Sequence, residues 1–348
     1  MAVVNPPAVL QAPLFSRDPL DPNIKQALLS HIWPLSTTTH SPQQSTEDFE
    51  AYFTYFRQEC RYALLNFHAI ESFADMVLIL DIIRDNPSSS LANIRTLIKN
   101  ANTSLASGDR KLSASIELVV RLWLMINVRI LMPTHRRDLE VSIPWPDNQS
   151  LMDILDRHIC QPSTSHISAL DTFSSRLNVT DMKNIANFNV YWTDNLSDHL
   201  TTRGSSIYLF YHVSVLKRIK ASVSSTGFLP SALIDETLTT LNLLIPHSLT
   251  SCNTWLKGEI SRLSLDPDIM YRDTADRNKG SYTYWQERLF SLSDAFDRTK
   301  PSSPIQWWYD RRDMGQWWGF WLVVAGIVLT VSFGLIQSIT GILQVIGH

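Results

Sequence analysis

The chain has 348 residues, a formal net charge of −3, 44% hydrophobic residues and three cysteines. Its length allows one large or two modest domains with a real core, and a near-balanced charge without a basic run argues against a nucleic-acid partner. Cys60, Cys160 and Cys252 are too widely spaced for a disulfide framework or a zinc pattern, and read as buried thiols of a reducing compartment.

Residues 1–20 read as a Pro-rich disordered start, because Pro6, Pro7 and Pro13 interrupt a short apolar run that no basic residue precedes, unlike a signal peptide. A helical domain is expected over 21–299. Asp21-Pro22 has the form of a helix cap followed by proline in the first turn, and that helix should stop before Pro34. After a polar loop, Ser45 with Asp48 has the form of a capping box before a helix through Phe49, Tyr52, Phe53, Phe56 and Cys60. The next helix uses Phe73, Met76, Val77, Leu80 and Ile83 and ends at Asn86-Pro87, and a short one spans Leu91 to Asn100. Ile116 to Met132 is expected to be the central core helix, terminated by Pro133. It carries Arg121 and Arg129, for which an anion and a buried carboxylate are the alternative partners.

Residues 133–148, with Pro144-Trp145-Pro146, read as extended and could divide the domain. Helices are expected at Leu151 to Ile159 and Ser165 to Leu177. Asn189 to Thr193 and Ser206 to Tyr211 have strand character and bracket a short helix, Asp194 to Leu200; two runs this short support only a small paired ribbon. Further helices are expected from Pro230 to Pro246, Leu249 to Leu256 and Ser281 to Arg298, with Leu265 to Lys279 as a loop. The fold class is mainly α: a multi-helix domain of roughly nine to eleven helices with a minor β element, followed by one C-terminal transmembrane helix.

That last helix follows a juxtamembrane linker, 300–316, and covers 317–346. No Asp, Glu, Lys or Arg occurs between Trp317 and Ile346, and about 20 apolar residues suffice to cross a bilayer. Trp307, Trp308, Tyr309, Trp317, Trp318 and Trp321 suit the headgroup level, and Arg298, Lys300, Arg311 and Arg312 precede the span, which the positive-inside bias reads as a cytosolic N-terminal body. The expectation is a single-pass, tail-anchored protein of an intracellular membrane, in which the sequons at Asn102, Asn148, Asn178 and Asn195 stay unglycosylated. Gly319, Gly326, Thr330, Gly334, Gln337, Gly341 and Gln344 recur at helical spacing on one face. Such a face lets a second helix approach, so the partners expected besides the lipid bilayer are another copy of the chain or another membrane protein.

The segment Trp192-Thr193-Asp194-Asn195-Leu196-Ser197-Asp198-His199-Leu200, the run Ile207 to His212, Leu233 to Leu238, Tyr284 to Leu289 and Asp310-Arg311-Arg312 before a Trp-rich tail resemble a large family of uncharacterised fungal proteins with one C-terminal membrane segment. The resemblance covers roughly the last 170 residues. It implies a fold and a topology and carries no activity. Tyr211 stands where that family often has a second histidine beside the His212 position, so no two-histidine site is implied.

No glycine-rich phosphate loop, H-E-x-x-H, C-x-x-C or G-x-S-x-G pattern occurs, and no cofactor or metal is expected. The residual polar cluster is Asp194, Asp198, His199 and His212. A carboxylate-oriented histidine could act as base or metal ligand. The competing reading has Asp194 as a helix cap, Asp198 solvated and the histidines packed against Trp192. The leading functional expectation is a non-catalytic binding or scaffold protein. An enzyme or accessory factor of a membrane pathway with apolar substrates comes second, and a transport subunit third.

Overall fold

Side-chain caps set where several of the helices begin. The computed structural model describes residues 8–15, 19–35, 45–64, 68–106, 108–131, 141–163, 171–222, 227–270, 275–299 and 314–346. Asp21 accepts from the Asn23 amide at 2.7 Å to start α1 (Pro22–Ile32). The Ser45–Asp48 capping box opens a 3-10 turn that runs into α2 (Glu50–Leu64). Equivalent boxes, Ser72–Asp75 and Ser150–Asp153, open α3 (Phe73–Asp85) and α6 (Leu151–Leu155), and Ser90 caps α4 (Leu91–Ala101). Each satisfies amides that the first turn leaves without an intrahelical partner.

At the centre is α5 (Asp109–Leu124), whose Leu112, Ile116, Val119, Val120 and Trp123 are buried against α2, α3 and α4. It ends eight residues short of Met132, the expected terminus, and proline is not the cause. Met125 adopts a left-handed conformation at φ 54° and closes the helix onto Arg121 O. The last-turn carbonyls then find tertiary donors: Tyr52 Oη donates to Leu122 O at 2.9 Å and Trp33 Nε1 to Trp123 O at 3.1 Å. Long-range partners thus decide the boundary. Beyond it, β1 (Val128–Arg129) pairs in parallel with β2 (Ile143–Pro144).

The second half holds α7 (Val179–Ala186), α8 (Val213–Ala221), α9 (Ser231–Leu244), α10 (Thr250–Leu263) and α11 (Gln286–Arg298) around a three-stranded sheet. In it β3 (Asn189–Thr193) lies parallel to β5 (Ser206–Phe210), with β4 (Thr202–Arg203) antiparallel on the other side of β5. The described part of the expected Ser165–Leu177 helix, residues 171–177, is not helical: Thr172 bridges Asn278 and the Phe173 amide donates to Arg277 O. The expected helix Asp194 to Leu200 shrinks to one 3-10 turn, Leu196–Asp198.

The start of the chain also departs from expectation. Leu10 is fully buried, Leu14 nearly so, and the Leu14 amide donates to Glu71 O at 2.8 Å, so residues 8–15 pack on α3 where disorder was expected. Leu10 on the 3-10 turn Ala8–Gln11 and Leu14 just beyond it supply enough apolar surface to hold the segment. One buried cluster runs from Leu10 to Phe296, on both sides of residues 133–148. The three cysteines are buried and free, and burial pushes the Cys60 and Cys160 thiols up, the latter to about 12. Finally α12 (Met314–Ile346) is continuous, starting three residues before the expected Trp317.

Candidate functional site

The polar cluster lies where the β3–β5 connection meets α5, α9 and α11. Asn195 is its hub. Its side-chain oxygen accepts from the Asn127 amide at 3.1 Å, and its nitrogen donates to Val141 O at 2.7 Å and Asp198 Oδ2 at 2.8 Å. Asn195, not Asp194, caps the short turn. Asp198 is buried, where solvation was one expectation, and its other oxygen accepts from the Val141 amide at 3.0 Å. Burial raises the Asp198 carboxyl above its ordinary range, against the pull of those hydrogen bonds and of Arg203 and Arg288. The sequon residues Asn178 and Asn195 are both buried, so the folded chain presents neither for glycosylation.

His199 is fully buried, with both ring nitrogens engaged. The Phe210 amide donates to Nδ1 at 3.2 Å, so the proton sits on Nε2, which donates to Thr240 Oγ1 at 2.8 Å; that hydroxyl donates on to Thr237 O. Its ring meets Trp285 edge-on at 5.1 Å, in place of the expected Trp192. The Arg288 guanidinium stacks on the same indole and donates to Ser197 O and His199 O. Burial, and then the Arg288 charge, hold the imidazole down to about 3. His199 is therefore a packed, neutral strut, and its removal reports on folding. The free imidazole titrates near 6.5, so in this window the unfolded chain binds a proton that the folded chain refuses. Stability attributable to this group falls as pH drops from 6.5 towards 3, by up to about 1.4 kcal/mol per pH unit. His199→Gln cannot charge, so its stability deficit relative to the native chain should shrink between about pH 7 and about pH 4 in paired thermal melts. A constant deficit would contradict a neutral buried His199.

Asp194 and Asp198 do not share a face. Asp194 Oδ1 accepts from Tyr211 Oη and lies against His212 Nε2, both at 2.7 Å. Partial burial works to raise this carboxyl, but the His212 and Tyr211 contacts outweigh it and hold it below the usual range. Asp194 keeps 40% of its side chain exposed while His212 is fully enclosed between the Tyr55, Phe210 and Tyr211 rings. Its Nδ1 is buried without a hydrogen-bond partner. A general base must reach the proton it takes, and His212 is fully buried with Nε2 held on Asp194. The spacing within 194–212 offered no sign of the long-range partners Thr240, Trp285 and Arg288.

Among the described residues, no group of three or more His, Cys, Asp or Glu side chains is placed to hold a metal ion. A groove of about 750 Å³ between α7 and α10 is lined by Thr180, Lys183, Thr254, Trp255, Glu259 and Arg262. Arg121 pairs with Glu59 at 3.0 Å and with Asn127 at 2.8 Å, whereas Arg129 lies outside α5 and is exposed.

In α12 the segment Trp317–Ile342 has a mean hydropathy of 2.3, with none of its most apolar stretch buried by the rest of the chain. Of the expected interface residues, Trp307, Trp308, Tyr309, Arg311 and Arg312 lie outside the described residues, and Trp317, Trp318 and Trp321 occupy the first turns of α12. The unbroken helix brings Gly319, Gly326, Thr330, Gly334, Gln337, Gly341 and Gln344 to one face. Thr330 Oγ1 donates back to Gly326 O at 2.8 Å. A Cβ added at Gly319, Gly326, Gly334 or Gly341 would meet nothing within 4 Å, so this chain alone leaves the face uncovered. Compared with protein-family models, with curated proteins and with solved structures, the chain matches none of them.

Proposed function

We propose that this chain is a single-pass membrane protein whose helical body faces the cytosol and acts by binding a partner, without catalysis of its own. The observation that carries the reading is the bare apolar surface of α12. Thirteen Leu, Ile, Val and Phe residues lie between Trp317 and Ile342, and Leu322 and Phe333 are 68% and 61% exposed. Leaving thirteen such side chains in water forgoes on the order of 20 kcal/mol of burial. Whole domains are stable by only about 5–15 kcal/mol, so this surface needs a hydrocarbon environment. A core helix of the body behaves oppositely: Leu118, Val120 and Leu122 of α5 are at most 1% exposed.

The cytosolic placement is supported by Arg298, Lys300, Arg311 and Arg312, which precede the span in sequence. Binding is supported over catalysis by the way Asp198, His199 and His212 are spent on packing. Protease added to sealed microsomes should digest the body completely, and detergent should change nothing further. Protection of the body until detergent is added would reverse the topology.

A further inference from the structure

Arg129, exposed and outside α5, belongs to a cleft on the body, distinct from the polar cluster. Along β1, alternation buries Val128 and turns Arg129 outward. Trp145, just after β2, is buried, and its indole N–H donates to Gln149 O at 2.9 Å, which fixes Pro144 to Gln149 as a wall. Past α6 the chain leaves α geometry, and Asp156–Cys160 form a π-helical turn. Such turns are rare and recur at functional sites, where the extra residue re-aims side chains. Here Ile159 and Cys160 stay in the core while Arg157 and His158 are exposed.

Arg129, Arg157 and His158 line one cleft of about 340 Å³, with the exposed Pro144 and Pro146 as its apolar side and the buried Trp145 behind them. Arg157 Nη1 donates to Gln149 Oε1 at 3.2 Å, and among the described residues no carboxylate pairs with either guanidinium. Among the described residues, the acids near the cleft are engaged elsewhere. Asp147 pairs with Arg95 at 2.7 Å, Asp153 is held in its capping box, and Glu117 accepts from the Ile130 and Leu131 amides. Asp156, exposed on the π turn, does not line the cleft. Two unneutralised guanidinium forks around one concavity match the charge and the paired oxygens of a phosphate. The volume is at the lower end of the roughly 300–1,000 Å³ of small-molecule sites.

We propose that this cleft binds a phosphate-bearing small molecule, its phosphate held by Arg129 and Arg157 and its organic part laid along Pro144 and Pro146. The proposal does not rest on the membrane reading. A soluble phosphomonoester and a lipid headgroup share the chemistry, so the experiment uses one probe of each: glycerol 3-phosphate and dihexanoyl phosphatidic acid. Each is titrated calorimetrically into the full chain held in phosphatidylcholine nanodiscs. Saturable binding of at least one probe is expected, weakened roughly tenfold in each of Arg129→Gln and Arg157→Gln and unchanged in Arg110→Gln, an exposed arginine away from the cleft. Binding of both probes identifies the free phosphate group as what is recognised, and binding of the phosphatidic acid alone assigns a lipid. Both cleft arginines are exposed, so thermal melts of the variants should match the native chain. Absence of saturable binding by either probe below about 1 mM, or binding that both Gln variants leave unchanged, overturns the proposal.

Discussion

Glu236→Ala should lower the stability of the body by about 3–5 kcal/mol, as much as truncating a large core side chain. Glu236, buried on α9, does across space what a local cap does for other helices. Its Oε2 accepts from the Thr283 amide at 2.8 Å, the Thr283 hydroxyl at 3.0 Å and the Tyr284 amide at 3.0 Å, and its Oε1 accepts from the Trp285 amide at 2.6 Å. These amides lead into α11, whose own N-cap position, Trp285, has no side-chain acceptor to offer. Alanine would leave three backbone donors without a partner. It would also loosen Trp285, whose indole N–H donates to Thr237 Oγ1 at 2.8 Å and whose ring packs on His199. A domain of this size loses about 2–4 °C of melting temperature per kcal/mol, so the midpoint should fall by roughly ten degrees. Glu236→Gln keeps one acceptor oxygen and should lose about half as much. Thermal unfolding of the full chain in detergent checks both, and a Glu236→Ala midpoint within about one degree of the native value would contradict the assigned role.

The parts that could be read in the sequence are those decided locally. Asp21-Pro22, Ser45 with Asp48 and Pro246 mark helix ends through contacts within a few residues, and the structure places the ends there. The uncharged run after Asp313 forms one helix of membrane-spanning length for the same reason. What escaped reading was decided at long range. The end of α5 depends on Trp33 and Tyr52, which lie far from it in sequence. Phe173 follows Arg277 into an extended pairing that no helical period in 165–177 could announce. Leu10 and Leu14 were masked by the prolines around them, although their spacing of four was visible.

The candidate site divides along the same line. That Asp194, Asp198, His199 and His212 lie in one region was legible from their nearness in sequence, but their partners were not. Asp194 goes to His212 and Tyr211, Asp198 to Val141 and Asn195, and His199 to Thr240. The spacing of four between the two aspartates suggested a shared helical face, and the 3-10 turn removes it. Arg157 and His158 gave no sequence signal, since only the π turn and the β1–β2 pairing bring them beside Arg129.

The other large effect is expected in α12. On the insertion scale an Arg at the centre of a span costs about 2.5–3.5 kcal/mol, while each Leu, Ile, Val or Phe contributes about −0.3 to −0.6. The thirteen such residues between Trp317 and Ile342 thus supply roughly −4 to −8 kcal/mol. Leu329→Arg combined with Phe333→Arg removes two of them and adds about 5–7, bringing the sum to about zero or above. The direct measurement is alkaline carbonate extraction of membranes carrying the full chain, that double variant, or a chain ending at Thr299. The native chain should stay in the membrane pellet, the double variant should lose most of its pelleted fraction, and the shortened chain should be released entirely. Release of the native chain into the carbonate supernatant would contradict the claim that α12 crosses the bilayer.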